Sequence, residues 1–302
     1  MRVRELRAAD WDEVAGLIHG ALSAWYRRNL NSERFGSESA GFRVFPELYE
    51  GLDPGCALVA EGEGGGLLGV VFYHPRETHV GVGIVATHPD HGGRGVAKRL
   101  MREVLARAGG VPVRLVSSAM NLDSFSLYTK LGFVPVAAYQ DMVLDVPAVG
   151  LGEPESGVEV RRAEPGDVAG MVALEERLAG IRREKDWRHL VENAAGCWRA
   201  WVAVRDGELC GVLGAVTHEH LRMVGPGVAL DEDAAGDLLQ RVLNEEFRGR
   251  EALWLAPVSC GRLVARCYGW GARNVELHLA SVRGEAVAAG GVVFPTFMPE
   301  SG

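Results

Sequence analysis

No apolar run in the sequence approaches the roughly 20 residues that a membrane-spanning helix needs. The opening residues, MRVRELRAADWDEV, are charged from the start and contain neither an apolar h-region nor a cleavage site, so a cytoplasmic location is expected. Lysine occurs only at 98, 130 and 185, and no basic block interrupts a net charge of −8. That balance leaves no footprint for nucleic acid or an anionic membrane surface, although it tolerates a cationic substrate. The five cysteines (Cys56, Cys197, Cys210, Cys260, Cys267) are odd in number and form no CxxC pair. Neither a disulfide framework nor a zinc ribbon is expected, and no metal site. A Walker GK[ST] and a Rossmann GxGxxG after the first strand are also missing.

What remains is a globular composition, 47% apolar and 24% charged, over 302 residues, a length that suits two domains. The Pro- and Gly-rich stretch VPAVGLGEPESG, from Val146 to Gly157, reads as a linker. The expected division is a domain over 1–146, a linker over 147–157 and a domain over 158–302. The two halves echo one another. RELRAADWDEVAGLI (4–18) aligns with VEVRRAEPGDVAGMV (158–172), sharing Arg7/Arg161, Ala9/Ala163 and a Val-Ala-Gly run, and LLGVVFYH (67–74) returns as LCGVLGAV (209–216). A repeat near 150 residues is too long for a solenoid and points to two copies of one fold.

In the first half the patterns predict strands at 2–7, 56–61, 67–74, 79–87, 112–117 and 134–144. Helices are predicted at 10–28, 41–51, 93–108 and 122–131. The run HVGVGIVAT (79–87) alternates, with Val80, Val82, Ile84 and Ala86 on one face. The helix at 93–108 carries an i, i+4 apolar stripe that must pack on a sheet. The fold class is α/β (α+β), with helices flanking a sheet.

Between strand 79–87 and that helix lies HPDHGGRGVAKRL. Gly92, Gly93 and Gly95 let the backbone bend and approach a ligand without Cβ obstruction. The helix starts within this loop, so its unpaired N–H groups and partial positive charge face outward, with Arg94, Lys98 and Arg99 beside them. The pattern suits a phosphate or pyrophosphate, and equally a glycine-rich turn that holds nothing. The next segment, NLDSFSLYTKLGFVPV (121–136), reads as a polar cap, a short helix carrying Tyr128 and a Leu-Gly-Phe turn into a strand.

HPDHGGRGVAKRL followed some 25 residues later by N-x-x-S-x-x-x-Y-x-K-L-G-F resembles the GNAT superfamily of N-acetyltransferases. The resemblance covers about 1–146, and the second half only as a degraded copy. It implies two tandem GNAT-like domains, each a mixed, mostly antiparallel central sheet flanked by helices. The implied co-substrate is acetyl-CoA, lying where strand 79–87 splays from strand 112–117. On this resemblance, Val85, Ala86 and Thr87 would meet the pantetheine as an added strand would. The amides of Gly93, Arg94, Gly95, Val96, Ala97 and Lys98 would cradle the pyrophosphate. Asn121 would bond the pantetheine arm, or serve as a plain helix N-cap, or both. Tyr128 would protonate the CoA thiolate as it leaves, the other reading being a half-buried aromatic. The family's loop begins with Gln or Arg where this chain has Gly92, which removes one side-chain support. At the strand position where some relatives carry a base-like Glu this chain has Gly81, so His79, Glu33 or an ordered water is left as the base. The segment WYRRNLNSERFG (25–36) is expected to line the acceptor site, or to contribute Trp25, Tyr26 and Phe35 to the core.

Carried to the second half, an offset of 138 puts Asp231-Glu232-Asp233 opposite Gly93-Arg94-Gly95; in the later segment, with Gly271 opposite Gly132, Cys267 opposes Tyr128 and Tyr268 is one residue out of register. Carboxylates at that helix end favour the dipole and repel a pyrophosphate. A non-catalytic second copy is expected. Its final residues, 291–302, are read as a strap whose Phe294, Phe297, Met298 and Glu300 shape the acceptor site. The expected activity is transfer of acetyl from acetyl-CoA to a primary amine of a small molecule or peptide, in a monomer that mimics a dimer or in a homodimer. The rival readings are a catalytically silent acyl-CoA sensor and a protein-interaction module.

Overall fold

The computed structural model describes residues 1–154, 156–297 and 300–301, and the chain forms two compact units. The first comprises Met1–Pro75 and Val82–Gly110, the second Arg76–Gly81 and Val111–Gly302.

In the first unit β1 (Arg2–Glu5) leads into α1 (Trp11–Leu30) and, after a 3-10 turn, α2 (Val44–Leu52). Then come β2 (Ala57–Glu61), β3 (Leu67–Pro75), β4 (Val80–Thr87) and α3 (Val96–Arg107), the first two residues of β4 being counted with the second unit. β1 pairs antiparallel with β2 (Arg2↔Glu61) and β2 antiparallel with β3 (Ala57↔Phe72). α1 buries Val14, Ala15, Leu17 and Ile18, and ends at Asn31 in the left-handed region, φ 49°. α3 buries Val96, Leu100, Met101 and Val104, the predicted i, i+4 stripe. Gly69 on β3 makes that packing possible. A Cβ there would stand 2.7 Å from Val96 Cγ1 and 2.9 Å from the carbonyl of Ala86, so any side chain would push α3 and β4 away.

The second unit begins with β5 (Val113–Ser118), α4 (Leu122–Lys130), β6 (Val134–Asp145) and β7 (Glu159–Arg162). It continues with α5 (Val168–Ala179), α6 (Glu184–Glu192), β8 (Trp198–Arg205), β9 (Glu208–His218), β10 (Leu221–Ala229) and α7 (Glu232–Glu246). β11 (Glu251–Pro257), α8 (Gly261–Gly269), β12 (Arg273–Arg283), β13 (Val292–Phe294), β14 (Thr296–Phe297) and β15 (Glu300–Ser301) complete it. Its sheet runs β5-β12-β6-β11-β10-β9-β8-β7, with β13 added to β10. The order shows an exchange. β12, the last long strand of the second half, lies between β5 and β6 of the first (His278↔Ser118, His278↔Tyr139), while β6 pairs with β11 from Tyr139↔Pro257 to Asp145↔Glu251. Met142, Leu144 and Val146 of the first half therefore share a core with Trp254, Leu238 and Phe247 of the second. This is why contacts divide the chain after Gly110 and not in 147–157. That segment is not a free linker either. Asn244 Oδ1 accepts from Leu151 N–H at 2.8 Å, and Gln240 and Asn244 donate to the carbonyls of Leu151 and Gly152 at 3.0 and 2.9 Å.

The hairpin tip at 76–79 is anchored in the same unit. Buried Arg76 donates through Nε to Asp186 Oδ2 at 2.7 Å, and Arg182 N–H donates to Thr78 Oγ1 at 2.9 Å.

Candidate active site

The glycine-rich loop of the first unit leaves β4 through a 3-10 turn at Pro89–His91 and enters α3 at Val96, three residues later than the sequence pattern suggests. Gly93 and Gly95 have φ of 73° and 80°, in the left-handed region, which explains glycine at both positions. Gly92 differs: its φ is −55°, and a Cβ there would meet nothing closer than Pro89 O at 3.5 Å. Its backbone is one any residue adopts, so the loss of the family's side chain leaves the loop's path intact. The first hydrogen bond near the helix start runs from Arg99 N–H to Gly95 O, 3.0 Å, which leaves the N–H groups of Val96, Ala97 and Lys98 ahead of the ladder. No side chain caps this end and no acidic residue sits in its first turn. Lys98 and Arg99 are exposed beside it, and Arg94 Nη1 lies 3.4 Å from His91 Nδ1. An open groove of about 600 Å3 adjoins the loop, lined by His91, Arg94 and Val96 together with Met1, Leu68 and the β2–β3 turn at Gly62–Gly66. A pyrophosphate fits this donor set, and the dipole and guanidinium add charge of the right sign. Val85, Ala86 and Thr87 form the last residues of β4, with Ala86 buried and the other two half-buried.

Asn121 and Tyr128 belong to the second unit. Asn121 is the N-cap of α4, its Oδ1 accepting from Ser124 N–H at 3.1 Å, so the side-chain NH2 is the half left to donate elsewhere. Tyr128 is buried on α4, its ring edge-on to Phe133 at 5.9 Å between centroids. His79 is 2% exposed in the hairpin that ends β3, with Nδ1 3.2 Å from Thr78 Oγ1. Glu33 is exposed in the first unit and held at both oxygens by Arg27, at 3.0 and 3.2 Å. The guanidinium's hydrogen bonds lower the Glu33 pKa, which makes it a poorer base. Of the acceptor-side aromatics, Tyr26 stacks edge-on against Trp25 at 5.2 Å and Phe35 at 5.0 Å, a cluster within the first unit.

The second half keeps the framework and closes both openings. Leu238, Leu239 and Val242 of α7 are buried at the positions of Leu100, Met101 and Val104 of α3, but α7 starts two residues earlier in that alignment, with N-cap Asp231. Asp231 Oδ1 accepts from Ala234 N–H at 2.8 Å, and Arg205 grips the same carboxylate at 2.7 and 3.2 Å, lowering its pKa. The amides that would meet a phosphate are thus answered by the helix's own carboxylate. Cys267 holds the position of Tyr128, seven residues after the respective N-cap, and both helices end in the same turn, at Gly132 (φ 88°) and Gly271 (φ 91°). Burial pushes the Cys267 thiol up to about 12, so it carries no proton chemistry near neutrality. Tyr268 is exposed and donates to Gln140 Oε1 at 2.7 Å.

The feature that sequence reasoning missed is β13. β10 pairs parallel with β11 only at Met223 and Val224, then antiparallel with β13 at Gly227, Val228 and Ala229. These are the last residues of β10, as Val85, Ala86 and Thr87 are of β4. A peptide strand occupies the edge that a pantetheine would pair with. Val292 and Phe294 are buried in the core of the second unit, which corrects the expectation that Phe294 shapes an acceptor groove. Met298 lies outside the described residues, as do the side chains of Phe297 and Glu300.

Among the described residues no group of His, Cys, Asp and Glu is placed to hold a metal ion, and no helix is long and apolar enough to cross a membrane. Residues 53–135 match the family model described as an acetyltransferase (GNAT) domain. A search of curated proteins finds no significant match. Among solved structures the chain is similar to a Pyrococcus horikoshii protein assigned as an acetyltransferase, at 14% identity over 98% of this chain and 94% of that one, TM-score 0.72. A GCN5-related N-acetyltransferase from Sphaerobacter thermophilus matches at 19% identity over 95% and 98%, TM-score 0.62. A tandem GNAT protein from the clavulanic acid biosynthesis pathway matches at 18% identity over 93% and 97%, TM-score 0.58. At these identities the neighbours show the fold. Residues 53–135 are similar to a GNAT acetyltransferase domain, and the chain has the fold of tandem GNAT proteins.

Proposed function

We propose that the chain is an acetyl-CoA-dependent N-acetyltransferase that acts on a primary amine of a small molecule or peptide and uses the motifs of its first half alone. The observation that carries this reading is the uncapped start of α3, with Gly93 and Gly95 in the left-handed region and Arg94, Lys98 and Arg99 around it. The corresponding end of α7 is capped by Asp231. Amides from Gly93 to Lys98 hold the pyrophosphate, the end of β4 at Val85, Ala86 and Thr87 pairs with the pantetheine, and the Asn121 NH2 bonds its arm. Acetyl-CoA supplies the activated acyl group as a thioester. Tyr128 donates its phenolic proton, of reference pKa about 10, to the sulfur as the C–S bond breaks. Glu33 is tied to Arg27 and His79 is buried, so an ordered water takes the proton that the amine must lose.

Calorimetric titration of acetyl-CoA and a thiol-release assay over a panel of amines test the reading together. One site per chain with turnover of at least one amine is expected. Two equivalent sites would overturn the assignment to one half. The state of Glu33 and His79 favours a second reading, an acyl-CoA-binding sensor; binding at one site with no thiol release from any amine would establish that instead.

A further inference from the structure

The second unit contains a cavity of about 300 Å3 that the acyl-transfer reading does not use. Its floor is one face of the sheet, with Ala137 and Tyr139 of β6 and Ala280 of β12. The register sets Ala280 beside Ala137 and His278 beside Tyr139, so these side chains alternate onto the same face. Ala179, the last residue of α5, and residues 286–289 complete the walls. The segment that carries 286–289 is exposed but tied down at both ends. Gly284 lies against Pro112, where a Cβ would stand 3.1 Å from the proline Cα, and Gly290 N–H donates to Leu178 O at 2.7 Å. Between them Val287 packs on Gly180, whose Cβ, if it had one, would stand 2.7 Å from Val287 Cγ2.

Arg114 of β5 also lines the space and is already engaged, so its charge is not what the cavity offers a ligand. Tyr139 is different. It is 4% exposed, and its hydroxyl forms no hydrogen bond among the described residues. A buried hydroxyl left in that state is costly, and a guest that accepts from it removes the cost. Burial pushes the Tyr139 pKa up to about 12, so the phenol is neutral at physiological pH. The Arg114 cation acts on the same oxygen, drawing its lone pairs toward the guanidinium and turning the O–H away from it. What the hydroxyl offers is therefore its proton. Among the described residues no Asp or Glu lines the cavity.

We propose that the cavity binds a small uncharged carbonyl compound with a short aliphatic body. Its oxygen accepts from the Tyr139 hydroxyl while the body rests on Ala137, Ala280, Val136, Val287 and Val293. The volume lies at the lower end of the range for small-molecule pockets, too small for a CoA. An ammonium is disfavoured, because no lining carboxylate meets it and the Arg114 charge repels it, so this is not the site of the amine acceptor. A free carboxylate or phosphate would bury its charge against alanine and valine, with a neutral hydroxyl to answer it. A ketone, ester or amide brings one acceptor for one donor and leaves no charge to desolvate.

NMR titration of the full-length chain with cyclohexanone, cyclohexane and cyclohexylamine, without acetyl-CoA, tests this site independently of the transfer reading. Cyclohexanone should bind at one site per chain and raise the melting temperature, because the folded state alone holds it. Cyclohexylamine, protonated at neutral pH, should bind at least about tenfold more weakly. Tyr139→Phe should weaken cyclohexanone by about three- to tenfold, the loss of one neutral hydrogen bond, and leave cyclohexane binding unchanged. Ala137→Leu, at a half-buried position on the cavity floor, should fill the space and abolish binding of both. A cooperative melting transition in each variant shows that it is folded. Absence of cyclohexanone binding, cyclohexylamine binding as tightly as cyclohexanone, unchanged cyclohexanone affinity in Tyr139→Phe, or binding that survives in folded Ala137→Leu would each overturn the proposal.

Discussion

Gly95 and Asp231 are both N-caps, one leaving three helix amides open and the other closing its helix with a carboxylate and an arginine clamp. Gly95→Asp should therefore cost acetyl-CoA affinity at least tenfold, since it brings a repelling charge and a side chain strained at φ 80° (expected magnitude about 1.4 kcal/mol or more). Asp231→Ala should cost about 1 kcal/mol of stability through the lost cap and leave acetyl-CoA binding unchanged, read by thermal melting and calorimetry. Tyr128→Phe should lower kcat by about tenfold to several hundredfold with little change in acetyl-CoA affinity, and normal turnover at every pH would show that the thiolate leaves unaided. His278 sets a pH dependence of its own. Burial pushes it down to about 4 from 6.5, and the carboxylates that face it, Asp141 and Glu276, stand 3.9 Å away. The unfolded chain takes up a proton that the folded chain refuses, so stability is full above about pH 6.5 and falls toward pH 4. His278→Gln should flatten the melting curve against pH in that window. At this scale the sequence was informative where chemistry is local. Glycines at 93 and 95, the Asn121 cap and the turn at Gly132 each mark a backbone conformation that side chains report directly. Arg114 carried no such mark, because an arginine inside VRLV looks the same whether it lines a cavity or faces solvent.

Helices α3 and α7 were legible as a pair from their apolar spacing, but the two extra residues at the start of α7 were not, since Glu232 and Asp233 suit a loop and a first helical turn equally. β13 escaped for a different reason. A strand of three residues has almost no periodicity, and its partner lies more than sixty residues earlier in the chain. Gly291 is its one signature. A Cβ there would stand 2.3 Å from the carbonyl of Ala229, so the approach to β10 admits glycine alone. Gly291→Val should detach the strap, lowering the melting temperature and raising protease sensitivity near the C-terminus. The acetyl-CoA stoichiometry should stay at one per chain, because Asp231 still closes α7. A second site in that variant would show that the strap, and not the acidic cap, excludes the ligand.

Across the whole molecule, the repeat and the two-copy architecture could be read from residue patterns, whereas the exchange of β12 and β6 could not. Each strand is equally apolar beside its own half or the other, so the choice of partner leaves no local trace. The exchange predicts that residues 1–146 made alone will aggregate or remain molten, since β5 and β6 then lack the strand between them; a sharp melting transition for that fragment would contradict this. It also imposes an order on biosynthesis. Val113–Ser118 emerges from the ribosome long before Arg273–Arg283, the strand it must hydrogen-bond, so the nascent chain carries an unsatisfied sheet edge while about 150 further residues are made. Closure of that sheet waits for Arg273–Arg283, and a ribosome stalled before residue 273 should display a protease-sensitive Val111–Asp145 segment that becomes resistant only once that strand has emerged.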